Sequence, residues 1–197
     1  MSDSLGTRKL ARAAAHLALR SRAALPPLAL FTDDDRLPDP LGAARVLPRG
    51  SMVVARSRDD ARRAALAAAM IALARKRDLI VLVAGDPDGA DGVHLPEARL
   101  RCAVDWRARR PSLLITASVH SFSALSKAMH LPLDAVFLSP VFRTASHPGR
   151  ATLSPIRANL IARASSLPVY ALGGIDAHNA LLLSGFAGIA AIGALAV

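Results

Sequence analysis

Short apolar runs recur along the chain, each separated from the next by an Ala- and Arg-rich stretch, and this alternation constrains the fold more than any single motif. The runs fall at 28–32, 52–55, 79–84, 91–95, 113–117, 135–138, 169–172 and 188–192. Stretches of helical length lie near 40–47, 58–76, 97–109, 121–130, 152–165 and 176–185. Such alternation predicts a parallel sheet, because parallel neighbours need a long crossover connection, usually a helix. Eight strands within 197 residues point to α/β class and a compact (β/α)8 barrel, a TIM barrel, rather than an open doubly wound sheet. No G-x-G-x-x-G turn follows the first run, so the main signature of a dinucleotide fold is missing.

Two units are incomplete. Only "GDPDG" (85–89) stands between the third and fourth runs, and five residues follow the eighth. Helices are therefore expected to be missing after strands three and eight. A helix within residues 1–24 offers a cover for that gap. Leu10, Ala13 and Leu17 share one stripe of it, while Arg8, Arg12, His16 and Arg20 recur every four residues on another. No repeat, linker or low-complexity boundary divides the chain, which reads as one barrel domain, 1–197.

Apolar residues make up 52% of the chain and aromatics 4%, so Ala, Leu, Val and Ile are expected to build the core. The longest uncharged runs, such as "SGFAGIAAIGALAV", fall short of the ~18–20 apolar residues that span a bilayer, so no membrane partner is expected. A single cysteine, Cys102, excludes an internal disulfide and suits a reducing, cytoplasmic setting. The net charge is +10, yet only 3 of the 25 basic residues are lysines and they are scattered. Without an aromatic-plus-basic module, specific nucleic-acid binding is not expected, whereas a phosphate-friendly surface is.

The stretch "AVFLSPVFRTASHPGR" (135–150) carries the strongest local signal. A strand ends and opens at once into a loop holding Thr144, Ser146 and His147 between two prolines. Hydroxyls in such a place either bind a small anion or simply shape a turn. Arg56 stands at another strand end, the position where barrels keep their functional side chains. His94 and His120 end strands four and five and either face a pocket or are buried and hydrogen-bonded. Asp33, Asp34, Asp35, Asp86, Asp88 and Asp91 read as turn and cap residues.

Five segments, in order, are "GADGVHLPE" (89–97), "TASVHS" (116–121), "LDAVFLSPVFRTASHPG" (133–149), "LPVYALGGID" (167–176) and "GIAAIGAL" (188–195). Together they resemble the thiamine phosphate synthase family and its sister group of thiazole tautomerases. The resemblance implies a transferase of thiamine biosynthesis that joins a pyrimidine diphosphate to a thiazole phosphate and releases pyrophosphate. It assigns Arg56, Ser118, Thr144 and Ser146 to the diphosphate cradle, with Arg58 and His147 at the family's lysine positions. It places Gly173 and Gly174, and the eighth-strand positions Ile192 and Gly193, around the thiazole phosphate; His94 and His120, from their strand-end positions, are the further candidates for substrate binding. A homodimer is the expected assembly.

The chain also departs from the family pattern. The family's glutamine before the arginine is Val54, its Asn-Asp after strand three is missing, and its second metal-binding aspartate falls on Arg99. Mg²⁺ thus loses its family carboxylates, leaving Asp86 and Asp88 as the acidic residues nearest to that role. A catalytically degenerate barrel that binds a phosphorylated ligand is the alternative reading. A tautomerase is the other, against which Pro140 stands where that branch has its proton-transferring histidine.

Overall fold

The computed structural model describes residues 3–19, 21, 24–143 and 152–195. Eight parallel strands, each hydrogen-bonded to the next, close into a barrel when β8 pairs with β1. They are β1 (Leu28–Phe31), β2 (Met52–Ala55), β3 (Ile80–Val83), β4 (Gly92–Leu95), β5 (Leu114–Val119), β6 (Ala135–Leu138), β7 (Val169–Leu172) and β8 (Gly188–Ala191). Helix α1 (Asp3–Ala18) precedes them; α2 (Pro40–Arg45), α3 (Asp60–Arg77), α4 (Cys102–Arg109), α5 (Phe122–Ala128) and α6 (Pro155–Arg163) lie between them.

Local chemistry sets the helix limits. Asp59 caps α3 by accepting from Arg62 N at 2.7 Å, and Asp78 ends it in the left-handed region at φ 57°. Ser121 caps α5 in the same way, accepting from Ala124 N at 3.0 Å. Among the described residues no α-helix separates β3 from β4 or follows β8, where Gly193–Leu195 forms a single 3₁₀ turn. Helix α1 buries Leu10, Ala13, Ala14 and Leu17 and packs against β1, β8 and the 3₁₀ turns beside it, covering the side of the barrel that lacks outer helices.

The helix expected over 176–185 is reduced to one 3₁₀ turn, Asn179–Leu182. Local side-chain bonds explain this. Asp176 Oδ1 accepts from the backbone N–H groups of His178 and Asn179, and Asn179 Nδ2 donates to Gly174 O at 2.7 Å. These bonds favour a turn over a helix. The stretch 97–109 likewise splits into a 3₁₀ turn, Glu97–Arg99, and α4.

Two hydrophobic layers result. The layer between sheet and helices is built mainly of aliphatic side chains, as composition implies, with Phe186 buried among them. The barrel interior departs from that expectation: although aromatics are few, Phe31, Phe137 and Tyr170 are all placed there. The Phe31 and Phe137 rings meet edge-on at 4.8 Å, and Phe137 lies 5.1 Å from Tyr170. Gly188 makes room for the tyrosine, since a Cβ there would stand 2.6 Å from the ring. Among the described residues no helix is long and apolar enough to cross a membrane.

Candidate functional site

Strand alternation sends every second side chain into the barrel. On β5 these are Leu114, Thr116 and Ser118; on β4, His94. His94 and Thr116 are partners in the parallel register, which sets the imidazole against the threonine hydroxyl. His94 Nδ1 lies 3.0 Å from Thr116 Oγ1, and Nε2 lies 2.9 Å from Ser118 Oγ. Phe31 and Phe137 close around the ring at 5.1 and 5.5 Å. Burial, reinforced by the Arg56 charge, pushes the His94 pKa down to about 3. The ring is neutral at pH 7, so one nitrogen donates and the other accepts.

Above this layer, at the C-terminal ends of the strands, a cavity of about 450 Å³ opens. Arg36, Arg56, His94, Glu97, Ser118, His120 and Ser139 supply its polar lining. A second cavity of about 200 Å³ adjoins it and shares Arg36, Leu172, Gly173 and Ile192. Gly174 and Gly193 complete that smaller lobe. Gly173 and Gly174 both take positive φ, 96° and 65°. A Cβ on Gly174 would collide with the carbonyl oxygen of Arg143, so only glycine brings this turn so close to the β6 loop.

The cationic side of the mouth is tightly tied. Thr32 Oγ1 donates to Arg56 O and accepts from Arg56 N, both at 2.8 Å, and Arg56 Nε donates to Thr32 O at 2.8 Å. Asp33 Oδ2 receives Arg56 Nη2 at 2.7 Å and Arg36 Nη2 at 2.6 Å. Partial burial pushes the Asp33 carboxyl up, but bonds from the two guanidinium groups outweigh it and hold it well below the usual carboxylate range. On the opposite side, His120 Nδ1 donates to Ser139 O at 2.9 Å, and Glu97 accepts the His120 backbone N–H at 2.7 Å.

Of the residues singled out from sequence, Arg56, Ser118, His94, His120, Gly173 and Ile192 line the larger cavity, while Gly174 and Gly193 line the smaller. Thr144, Ser146 and His147 lie outside the described residues. Arg58 is not brought to the cavity: its side chain is 76% exposed and pairs with Asp34 and Asp35. Asp33 is the turn residue expected from sequence, its Oδ1 accepting from the backbone N–H groups of Asp35 and Arg36; Asp33, Asp34 and Asp35 are in addition anchors for arginines. Asp86 and Asp88 are exposed and do not line the cavity.

Arg36, Glu97 and Ser139 escaped the sequence reading. Arg36 sits three residues after Asp33 in a strand-end loop, a spacing that could have suggested the pair. The site brings together two guanidinium groups, a serine hydroxyl, a glycine turn and one carboxylate, Glu97, over a neutral imidazole, and its cationic side can hydrogen-bond an anion.

Fold and site together define a (β/α)8 barrel that gathers anion-binding groups at the C-terminal ends of its strands. A family model described as thiamine monophosphate synthase matches residues 39–195, and the chain belongs to that family. A thiamine-phosphate synthase of Chlorobium luteolum is 31% identical over 180 residues, covering 86% of this chain and 85% of that protein. One of Methanoculleus marisnigri is 41% identical over 115 residues, 54% of this chain and 52% of that protein. With relatives of the latter kind, the match spans about half of the curated protein's length. The solved thiamine phosphate pyrophosphorylase from Pyrococcus furiosus superposes with a TM-score of 0.70 at 25% identity, covering 84% of this chain and 85% of that one.

Proposed function

We propose that this chain is a thiamine phosphate synthase-like transferase, which joins a pyrimidine diphosphate to a thiazole phosphate and releases pyrophosphate. The observation that carries the reading is the pair of adjoining cavities at one barrel mouth, both touching Arg36. The larger lobe, with Arg56 and Ser118, suits a diphosphate; the smaller, edged by Gly173, Gly174 and Gly193, suits a phosphate monoester. In the reaction the C–O bond to the diphosphate breaks, the diphosphate leaves with that electron pair, and the thiazole nitrogen forms the new C–N bond. Arg56 and Ser118 stabilise the charge gathering on the leaving group. The neutral His94 holds Ser118 in place without adding charge.

The residues present do not fit Mg²⁺ well, and no step is assigned to it. Mg²⁺ needs hard oxygen ligands in octahedral array. Among the described residues no group of three or more His, Cys, Asp or Glu comes together. Glu97 is the one acidic residue lining the large cavity among them, and Asp33 is already bound to two arginines.

Incubating the protein with both substrates in Mg²⁺ buffer, and separating the products chromatographically, tests the reading. Thiamine phosphate and pyrophosphate in equal amounts support it. Thiazole phosphate that binds without product would instead establish a receptor that has lost turnover.

A further inference from the structure

We propose that Arg36 and Arg56, locked together by Asp33, bind the diphosphate without a divalent cation. The inference rests on the synthase reading only in taking the ligand to be a diphosphate. Asp33 is the pivot. Its Oδ1 accepts from Arg36 N and Arg36 Nε, both at 3.1 Å, and its Oδ2 from both guanidinium groups. The Asp33 side chain is only 14% exposed, so it is a structural counter-ion and not a ligand facing the solvent. One carboxylate between two guanidinium groups leaves one net positive charge on this side of the cavity, with Glu97 the one carboxylate among the described residues that lines the cavity itself.

The pair is also held against recoil. Arg56 Nε is fixed on Thr32 O, and its guanidinium carbon lies 5.9 Å from the centre of the Phe31 ring. Arg36 forms part of both cavities, so its charge reaches both places where phosphate would sit. Planar guanidinium forks match phosphate oxygens in pairs, with the hydrogen bonds a metal ion would not supply. Charge that elsewhere comes from a cation on a carboxylate cluster comes here from side chains already in position. A receptor organised before binding loses less entropy when the ligand arrives.

Calorimetry with inorganic pyrophosphate, at low ionic strength in excess EDTA and again in Mg²⁺, decides the matter. Binding in EDTA within about threefold of that in Mg²⁺ is expected. Arg36→Gln should weaken it roughly 10- to 100-fold, as expected for a lost charged hydrogen-bond partner. Asp33→Asn, which frees both guanidinium groups to move, should weaken it too and not tighten it. Pyrophosphate binding seen only with Mg²⁺ would overturn the inference, and its abolition by Glu97→Gln would assign the metal to Glu97. Equal affinity of Arg36→Gln and the parent protein in EDTA would overturn it as well. The two proposals fail separately. Turnover in Mg²⁺ together with pyrophosphate binding that is lost in EDTA sinks this one and leaves the synthase reading standing; pyrophosphate bound in EDTA without turnover in Mg²⁺ does the reverse.

Discussion

The lower barrel interior and the barrel mouth are built by the same eight strands, yet they carry opposite kinds of side chain. Below, Met52, Ala135, Phe137 and Tyr170 fill the space with apolar volume. Tyr170 sends its hydroxyl out to the Leu25 and Pro26 carbonyls at 3.1 and 3.0 Å. Above, Ser118 and the loop residues Arg36, Arg56, Glu97 and His120 surround a cavity. His94 sits at the boundary, with two aromatic rings in T-shaped contact and hydroxyls on both nitrogens. The difference teaches that stability and affinity reside at different heights of one barrel, so substitutions should separate them.

The largest expected effect lies below. Phe137→Ala empties a fully buried site and should lower the unfolding free energy by about 3–5 kcal/mol, measured by denaturant titration. The folded fraction should bind pyrophosphate as before. A loss under about 1 kcal/mol would mean that the aromatic stack supports little of the fold.

At the boundary the effect depends on pH. The folded-state pKa of His94 is depressed from 6.5 to about 3, so below pH 6.5 the unfolded chain binds a proton that the folded chain refuses. The stability from His94 is fully present above pH 6.5 and is lost as pH falls toward about 3. The slope approaches about 1.4 kcal/mol per pH unit. Asp33, also depressed, adds to the loss only below its ordinary value of 3.8. His94→Gln should flatten the stability curve between about pH 6 and pH 4; an unchanged slope there would show that another group carries it.

Next come the mouth and the outer surface. Arg56→Ala removes a charged donor worth about 1.5–3 kcal/mol and should weaken pyrophosphate binding roughly 10- to 150-fold. The deficit should shrink as salt is raised. Arg58→Ala should do least, changing stability by less than about 0.5 kcal/mol and leaving affinity alone, because its exposed side chain pairs with Asp34 and Asp35. A loss of affinity beyond threefold would return Arg58 to the site.

Much of the fold was legible because strand signals are local. The runs 52–55, 135–138 and 169–172 coincide with β2, β6 and β7, and the missing helix after β3 followed from the length of "GDPDG". The reduction of 176–185 to a turn was not legible, since it depends on Asn179 reaching Gly174 O. The concentration of rings inside the barrel depends on parity and closure, which composition does not express.

In the site, Arg56 and His94 stood out because each stands at a strand end, and Ser118 because the family resemblance assigns it to the diphosphate cradle. Arg36 did not, because its meaning comes from a carboxylate shared with Arg56 on the neighbouring strand's loop. Asp33 is the turn residue its sequence suggests, but its second role, between two arginines, was hidden for the same reason. The Asp33–Arg36 pair follows from spacing within one loop, but the Asp33–Arg56 pair is set by β1 and β2 lying side by side.

A crystal structure with inorganic pyrophosphate tests the central claim most directly. Diphosphate density is expected at the mouth, within hydrogen-bond distance of Arg56 Nη and Ser118 Oγ, with Arg36 and Asp33 still paired. Diphosphate bound only on the outer surface, against Arg58 and Arg62, with the mouth filled by solvent alone, would contradict it.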